Sequence, residues 1–239
     1  MPDQDKLLQQ LVDKLKAAHG KSLVSVILYG SAAGGDHHAS FSDLNVFCVL
    51  SSVGAKELAA SEPIFHWWRE LRHPSPLLMS VEEVRSSTDC FPIEFMDMRE
   101  RRRVLHGADV VADLVIEDVF YRAQVEHELM AKLLRLRQKA AGVLSNTELL
   151  LRLMLDSVST FCILGRHALR LAGLEAPWRK REIIAVCVQH FGLSGRPFHA
   201  LLDHREGKTK ARDIDAAALF ELYLKDIAAL VAAVDRLER

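Results

Sequence analysis

The sequence predicts an α/β domain followed by an α-helical bundle, on three observations. Two short runs rich in Val, Leu and Ile, Leu23–Tyr29 and Val46–Leu50, flank a polar loop that opens with Gly30-Ser31. Runs of that length and composition read as buried strands rather than helices. From about Glu117 the texture changes to long stretches of helical periodicity joined by short connections, the pattern of antiparallel neighbours in a bundle.

Composition bounds the rest. The 239 residues are 49% hydrophobic and 26% charged, with a formal net charge of −1, the profile of a soluble globular protein with a sizeable core. No apolar run approaches the length of a membrane span, and the opening MPDQDKLLQQ lacks a signal-peptide pattern. Cys48, Cys90, Cys162 and Cys187 show no CxxC spacing. Three of them sit among apolar neighbours, so buried free thiols and a cytoplasmic setting are expected. The near-neutral total conceals a split. Residues 1–116 carry 12 basic and 16 acidic side chains, and residues 117–239 carry 19 and 16. Neither half is basic enough to argue for nucleic-acid binding on charge alone, which leaves a nucleic-acid partner open.

In chain order, Leu7, Leu8, Leu11, Val12 and Leu15 fall at helical spacing over Asp5–His19, and Gly20 ends that helix. The two strands and the loop between them follow. Residues 54–71 read as a helix carrying Trp67 and Trp68, and His73-Pro74-Ser75-Pro76 breaks it. Leu77–Met79 is a short strand, and Val81–Arg85 a short helix or turn. The alternation in Phe91–Met98 (FPIEFMDM) predicts another central strand with Pro92 at its start, which would put Glu94 and Asp97 on opposite faces. The basic run Arg99–Arg103 (RERRR) reads as a solvated face. In the second half, helices are expected over Val119–Ala141, from a cap at Ser145 or Asn146 to about Leu171, over Trp178–Phe191, after Pro197, and from a cap at Asp213 over Ile214–Leu237.

The chemistry gathers at the second strand, headed by Ser42-Asp43-Leu44-Asn45. Side chains alternate in a strand, so Asp43 and Asn45 point one way and Leu44 and Val46 the other. Two polar groups side by side on an apolar strand are costly without partners, and a site is the reason to keep them. Gly30 at a turn lets backbone N–H groups approach an anion closely.

Gly30-Ser31, a spacer, and Asp43-Leu44-Asn45 at the head of a strand resemble the nucleotidyltransferase superfamily, whose members include polymerase beta and kanamycin nucleotidyltransferase. The family pattern is Gly-Ser or Gly-Gly after a strand, an acidic-x-acidic pair on the next strand, and a third carboxylate further on. The resemblance covers a little under half the chain. It implies an α/β (α+β) domain with a small mixed sheet over residues 1–112, with the helical bundle at 113–239. It implies a nucleoside triphosphate as substrate and magnesium or manganese as cofactor. Gly30 and Ser31 would bind the phosphates, and Asp43, Asn45 and Glu94 would hold the metal, with Asp43 and Glu94 catalytic. A nucleoside monophosphate would pass to an unidentified acceptor. Asn45 departs from the pattern, because a neutral amide stands where the family has a second carboxylate. The competing reading is therefore a degenerate nucleotidyltransferase that binds nucleotide or a protein partner, as in toxin–antitoxin pairs. A homodimer stays open.

Other candidates carry less. Asp36, His37 and His38 lie in the loop, with no third and fourth ligand at a spacing that supports zinc. Glu126 and Glu128 are general-base candidates by position only. Trp178-Arg179-Lys180-Arg181 and Arg205–Arg212 put basic and aromatic groups together, and solvated helix ends are the favoured reading. No P-loop, dinucleotide fingerprint or Gly-x-Ser-x-Gly elbow is present.

Overall fold

The computed structural model describes residues 2–34 and 44–237. The chain divides into two compact units, Met1–Tyr121 and Arg122–Arg239.

The first unit opens with helix α1 (Pro2–His19), and Gly20 follows it at φ +52°. Strand β1 (Leu23–Tyr29) runs antiparallel to both β2 (Asn45–Leu50) and β4 (Arg102–Gly107). Strand β3 (Leu77–Ser80) pairs in parallel with β2. The result is a mixed four-stranded sheet in the order β3-β2-β1-β4. The parallel step from β2 to β3 needs a crossover, and helix α2 (Ala55–Glu70) supplies it. Helix α3 (Val81–Ser86) follows directly on β3, with Ser80 and Glu83 forming a capping box at its start.

Strand alternation sorts the sheet into two faces. Leu44, Val46, Cys48 and Leu50 join Val26 and Leu28 in one core with Leu8, Leu11, Val12 and Leu15 of α1 and Ile64 and Trp68 of α2. The opposite face carries Asn45, Phe47 and Val49, and there the Phe47 ring meets Phe95 edge-on, with centroids 6.3 Å apart.

Phe95 lies on a helix, not on the strand expected over Phe91–Met98. Helix α4 runs from Pro92 to Glu100. Its buried residues, Pro92, Ile93, Phe95, Met96 and Met98, recur at intervals of three as well as two, so a short apolar–polar alternation also describes a helix face. Pro92 occupies the first helical turn, where the missing N–H costs nothing and the fixed φ suits the helix. Glu94 and Asp97 are thus one turn apart on the same side, rather than on opposite faces. Part of the basic run, Arg102 and Arg103, forms the start of strand β4.

The second unit is helical: the remainder of α5 (Asp118–Ala141), then α6 (Thr147–Leu171), α7 (Lys180–Phe191), α8 (Arg196–Arg205) and α9 (Ala216–Asp235). The Asn146 side chain accepts from the Leu149 N–H at 3.0 Å, making it the cap of α6. The cap of α9 is Asp215, whose carboxylate accepts from Ala217 and Ala218; Asp213, expected in that role, lies in a preceding 3-10 turn. Burial pushes the thiols of Cys48, Cys162 and Cys187 up to about 12, as inert core cysteines require. Among the described residues, no helix is long and apolar enough to cross a membrane.

Candidate nucleotide site

Strand β1 ends at Tyr29, and Gly30 turns the chain with φ +78°, a conformation that L side chains rarely adopt. Ser31–Gly34 then form one turn of 3-10 helix, in which Ala33 N–H donates to Gly30 C=O at 3.1 Å. The Gly30 N–H donates to the Arg101 carbonyl at 3.2 Å, so the turn is fastened to the residue that links α4 and β4.

Asn45 is the cross-strand partner of Tyr29 and is half-buried. A Cβ placed on Gly30 would lie 3.4 Å from Asn45 Nδ2, so the amide rests alongside the turn. Two of the predicted site residues, Gly30 and Asn45, therefore meet at one corner of the sheet. Helix α4 covers the face that Asn45 and Tyr29 share. Burial holds the Tyr29 phenol above its ordinary value, and the negative fields of Glu94 and then Asp97 push in the same direction. Glu94 thus acts on the Tyr29–Asn45 corner from a helix, although it is not on a strand. Asp43 lies outside the described residues, as do Asp36, His37 and His38.

The atoms set against the turn are nitrogens, Asn45 Nδ2 beside Gly30 and the Arg101 guanidinium beside Gly34. Among the described residues, no three His, Cys, Asp or Glu side chains gather into a group that could hold a metal.

Sequence reasoning missed Arg101. A Cβ on Gly34 would overlap its guanidinium, with 2.6 Å to Cζ and 2.8 Å to Nε. Only glycine lets the arginine lie so close to the turn. The other arginines of the run face elsewhere. Arg99 donates to the Leu114 carbonyl at 3.3 Å, Arg102 forks onto both oxygens of Asp109 at 2.9 Å, and Arg103 pairs with Asp5 at 2.8 Å.

In the second unit, the other candidates are engaged in helix-surface pairs. Glu126 is bound by Arg122 at 2.8 Å and Glu128 by Lys132 at 3.1 Å. Arg181 bridges Asp203 and Glu206, Lys208 closes on Glu206 at 2.6 Å, and the Arg166 guanidinium stacks 3.5 Å above the Trp178 ring. The pairs of Arg181 and Lys208 fit the solvated-helix-end reading, whereas Trp178 is partly buried on the buried Arg166.

A small mixed sheet with a Gly-Ser turn at its corner, followed by a helical unit, is a fold that this chain shares with a solved adenyltransferase. The structure matches spectinomycin adenyltransferase AAD(9) from Enterococcus faecialis, solved with ATP and spectinomycin, at a TM-score of 0.62 and 10% sequence identity. The match covers 97% of this chain and 99% of that one. No protein-family model matches the sequence, and no curated protein matches it.

Proposed function

We propose that the protein is a nucleotidyltransferase that moves a nucleoside monophosphate from a triphosphate to an acceptor, releasing pyrophosphate. The observation that carries this reading is the corner where the Gly30 turn meets the Asn45 amide, in a fold shared with an adenyltransferase solved with ATP. In this reading the Gly30-Ser31 turn binds the β- and γ-phosphates, with Gly30, whose N–H is taken by the Arg101 carbonyl, setting the shape of the turn and Ser31 donating to the phosphates. Asp43 and Glu94, with the Asn45 carbonyl, would hold magnesium or manganese, which supplies neutralisation of phosphate charge when bound. The protein's own contribution is orientation: the sheet corner fixes the triphosphate and α4 closes one side. The acceptor is a hydroxyl or another nucleophile, and ATP is the first triphosphate to try. Buried, unpaired thiols support a cytoplasmic setting.

One observation favours a second reading. The neutral amide of Asn45 brings no charge for a second cation, which suits a nucleotide-binding module without turnover.

The test is calorimetry of ATP with magnesium, beside a pyrophosphate-release assay over a panel of acceptors that includes spectinomycin. Ser31→Ala is expected to weaken ATP by about 1 kcal/mol, the usual worth of one hydrogen bond. ATP affinity unchanged by that substitution removes Ser31 from the site. A wild-type protein without ATP affinity overturns both readings of the corner as a nucleotide site.

A further inference from the structure

We propose that Arg101 is the side chain that anchors the triphosphate at the Gly30–Gly34 turn, an inference that rests on the nucleotide reading given above. The argument starts from Gly34. Its Cα is the surface against which the guanidinium packs, and a methyl group there would overlap the guanidinium. A planar cation is thereby laid against a turn of small residues, open to the close approach of an anion.

The same residue holds the turn in shape. The Arg101 carbonyl accepts the Gly30 N–H at 3.2 Å, while the Arg101 N–H closes the end of α4 on the Asp97 carbonyl at 2.9 Å. Backbone and side chain of one residue are therefore both committed to the Gly-Ser corner. The placement is selective within a run of like residues. Arg102 and Arg103 are held by Asp109 and Asp5, and Arg99 by the Leu114 carbonyl. Arg101, the residue that ends α4, is the one of the four whose guanidinium packs against Gly34.

A guanidinium presents several N–H donors in one plane and can take two phosphate oxygens at once. Such a group serves the β- and γ-phosphates, which carry the charge that pyrophosphate takes away. It also adds positive charge to a corner where Asn45, being neutral, gives a cation less to bind. Arg101 would then contribute to triphosphate affinity directly, and a monophosphate would gain little from it.

The experiment is calorimetry of ATP and AMP, each with magnesium, on wild type, Arg101→Gln, Arg101→Lys and Arg103→Gln. Every substitution keeps the backbone carbonyl that fastens Gly30, and thermal melting reports whether the fold persists. Arg101→Gln is expected to weaken ATP about ten- to a hundredfold, the worth of a charge-assisted hydrogen bond or two. AMP should change by less than about twofold, since it lacks the outer phosphates. Arg101→Lys keeps the charge without the fork and should fall between. Arg103→Gln, which lies outside the turn, should match wild type. Wild-type ATP affinity that Arg101→Gln and Arg101→Lys both retain overturns the role of Arg101 and leaves the nucleotide reading standing. Equal losses for ATP and AMP overturn it as well, because they mark a structural effect. Absence of ATP affinity in the wild type overturns the nucleotide reading itself, and this inference with it.

Discussion

Asn45 and Tyr29 face each other across the β1–β2 pair, with the Asn45 amide against Gly30 on one side and the carboxylates of α4 acting on the Tyr29 phenol from the other. The superfamily that the sequence resembles has a carboxylate at the position of Asn45. Restoring it adds a negative charge to the corner where divalent cations would otherwise be neutralised. If the protein turns over, Asn45→Asp is expected to raise pyrophosphate release severalfold or more, with the melting temperature nearly unchanged because the side chain is only half-buried. Asp43→Ala is the blank. Wild-type release no greater than the blank, with a broad acceptor panel, decides for the binding module.

Much of this corner was legible in the sequence. The strands around Gly30-Ser31 and the head of β2 follow from runs whose length and β-branched content leave little choice, and the helices of the second unit from long periodic stretches. What was not legible has a physical cause in each case. Phe91–Met98 alternates over too few residues to separate a period of two from one of 3.6, and Pro92 suits the start of either element. Strand β4 hides in RRVLHG because an edge strand exposed to solvent tolerates charge. Asp213 and Asp215 are equally good caps by type, and only the bonds to Ala217 and Ala218 choose between them. Arg101 differs from its neighbours by where β4 starts, which no local pattern encodes.

Glu94 and Asp97 oppose ionisation of Tyr29, with Glu94 the larger of the two after burial. Removing a nearby negative charge favours the phenolate, so Glu94→Gln should lower the Tyr29 titration and Asp97→Asn should lower it less. The chain has three tyrosines, so ultraviolet titration with Tyr29→Phe as the subtraction isolates the signal. An unmoved Tyr29 titration in Glu94→Gln would remove Glu94 from this corner and, with it, from the proposed metal set.

In the second unit, Lys208 and Arg181 hold the Glu206 carboxyl down at about 2, against an ordinary value of 4.5. A depressed folded-state value means stabilisation that is present above 4.5 and lost as pH falls toward about 2. All three side chains are more than a third exposed, so the effect is small and salt-sensitive. Glu206→Gln is expected to lower the melting temperature slightly at pH 7 in low salt. The difference from wild type should shrink in concentrated salt and vanish near pH 2. A difference that persists unchanged in concentrated salt would mean that packing, not charge, accounts for it.

Asp226 is the buried charge on which the α7–α8 connection depends. Its carboxylate is 3% exposed and accepts from Ser194 N–H at 2.9 Å, Ser194 Oγ at 3.0 Å and Gly195 N–H at 2.9 Å. Gly195, at φ +70°, caps α8, so one carboxylate on α9 satisfies the N–H groups at the entrance to α8. Asp226→Ala strands two backbone N–H groups in a closed space, and the loss is expected at about 3 kcal/mol. Asp226→Asn keeps the shape and one acceptor oxygen and should cost less than half of that. Chemical denaturation followed by the helical circular dichroism signal measures both. The proposed nucleotide corner belongs to the first unit, so ATP affinity should survive Asp226→Asn unchanged. Equal costs for Asn and Ala would mean that charge, rather than the acceptor geometry, holds the connection together.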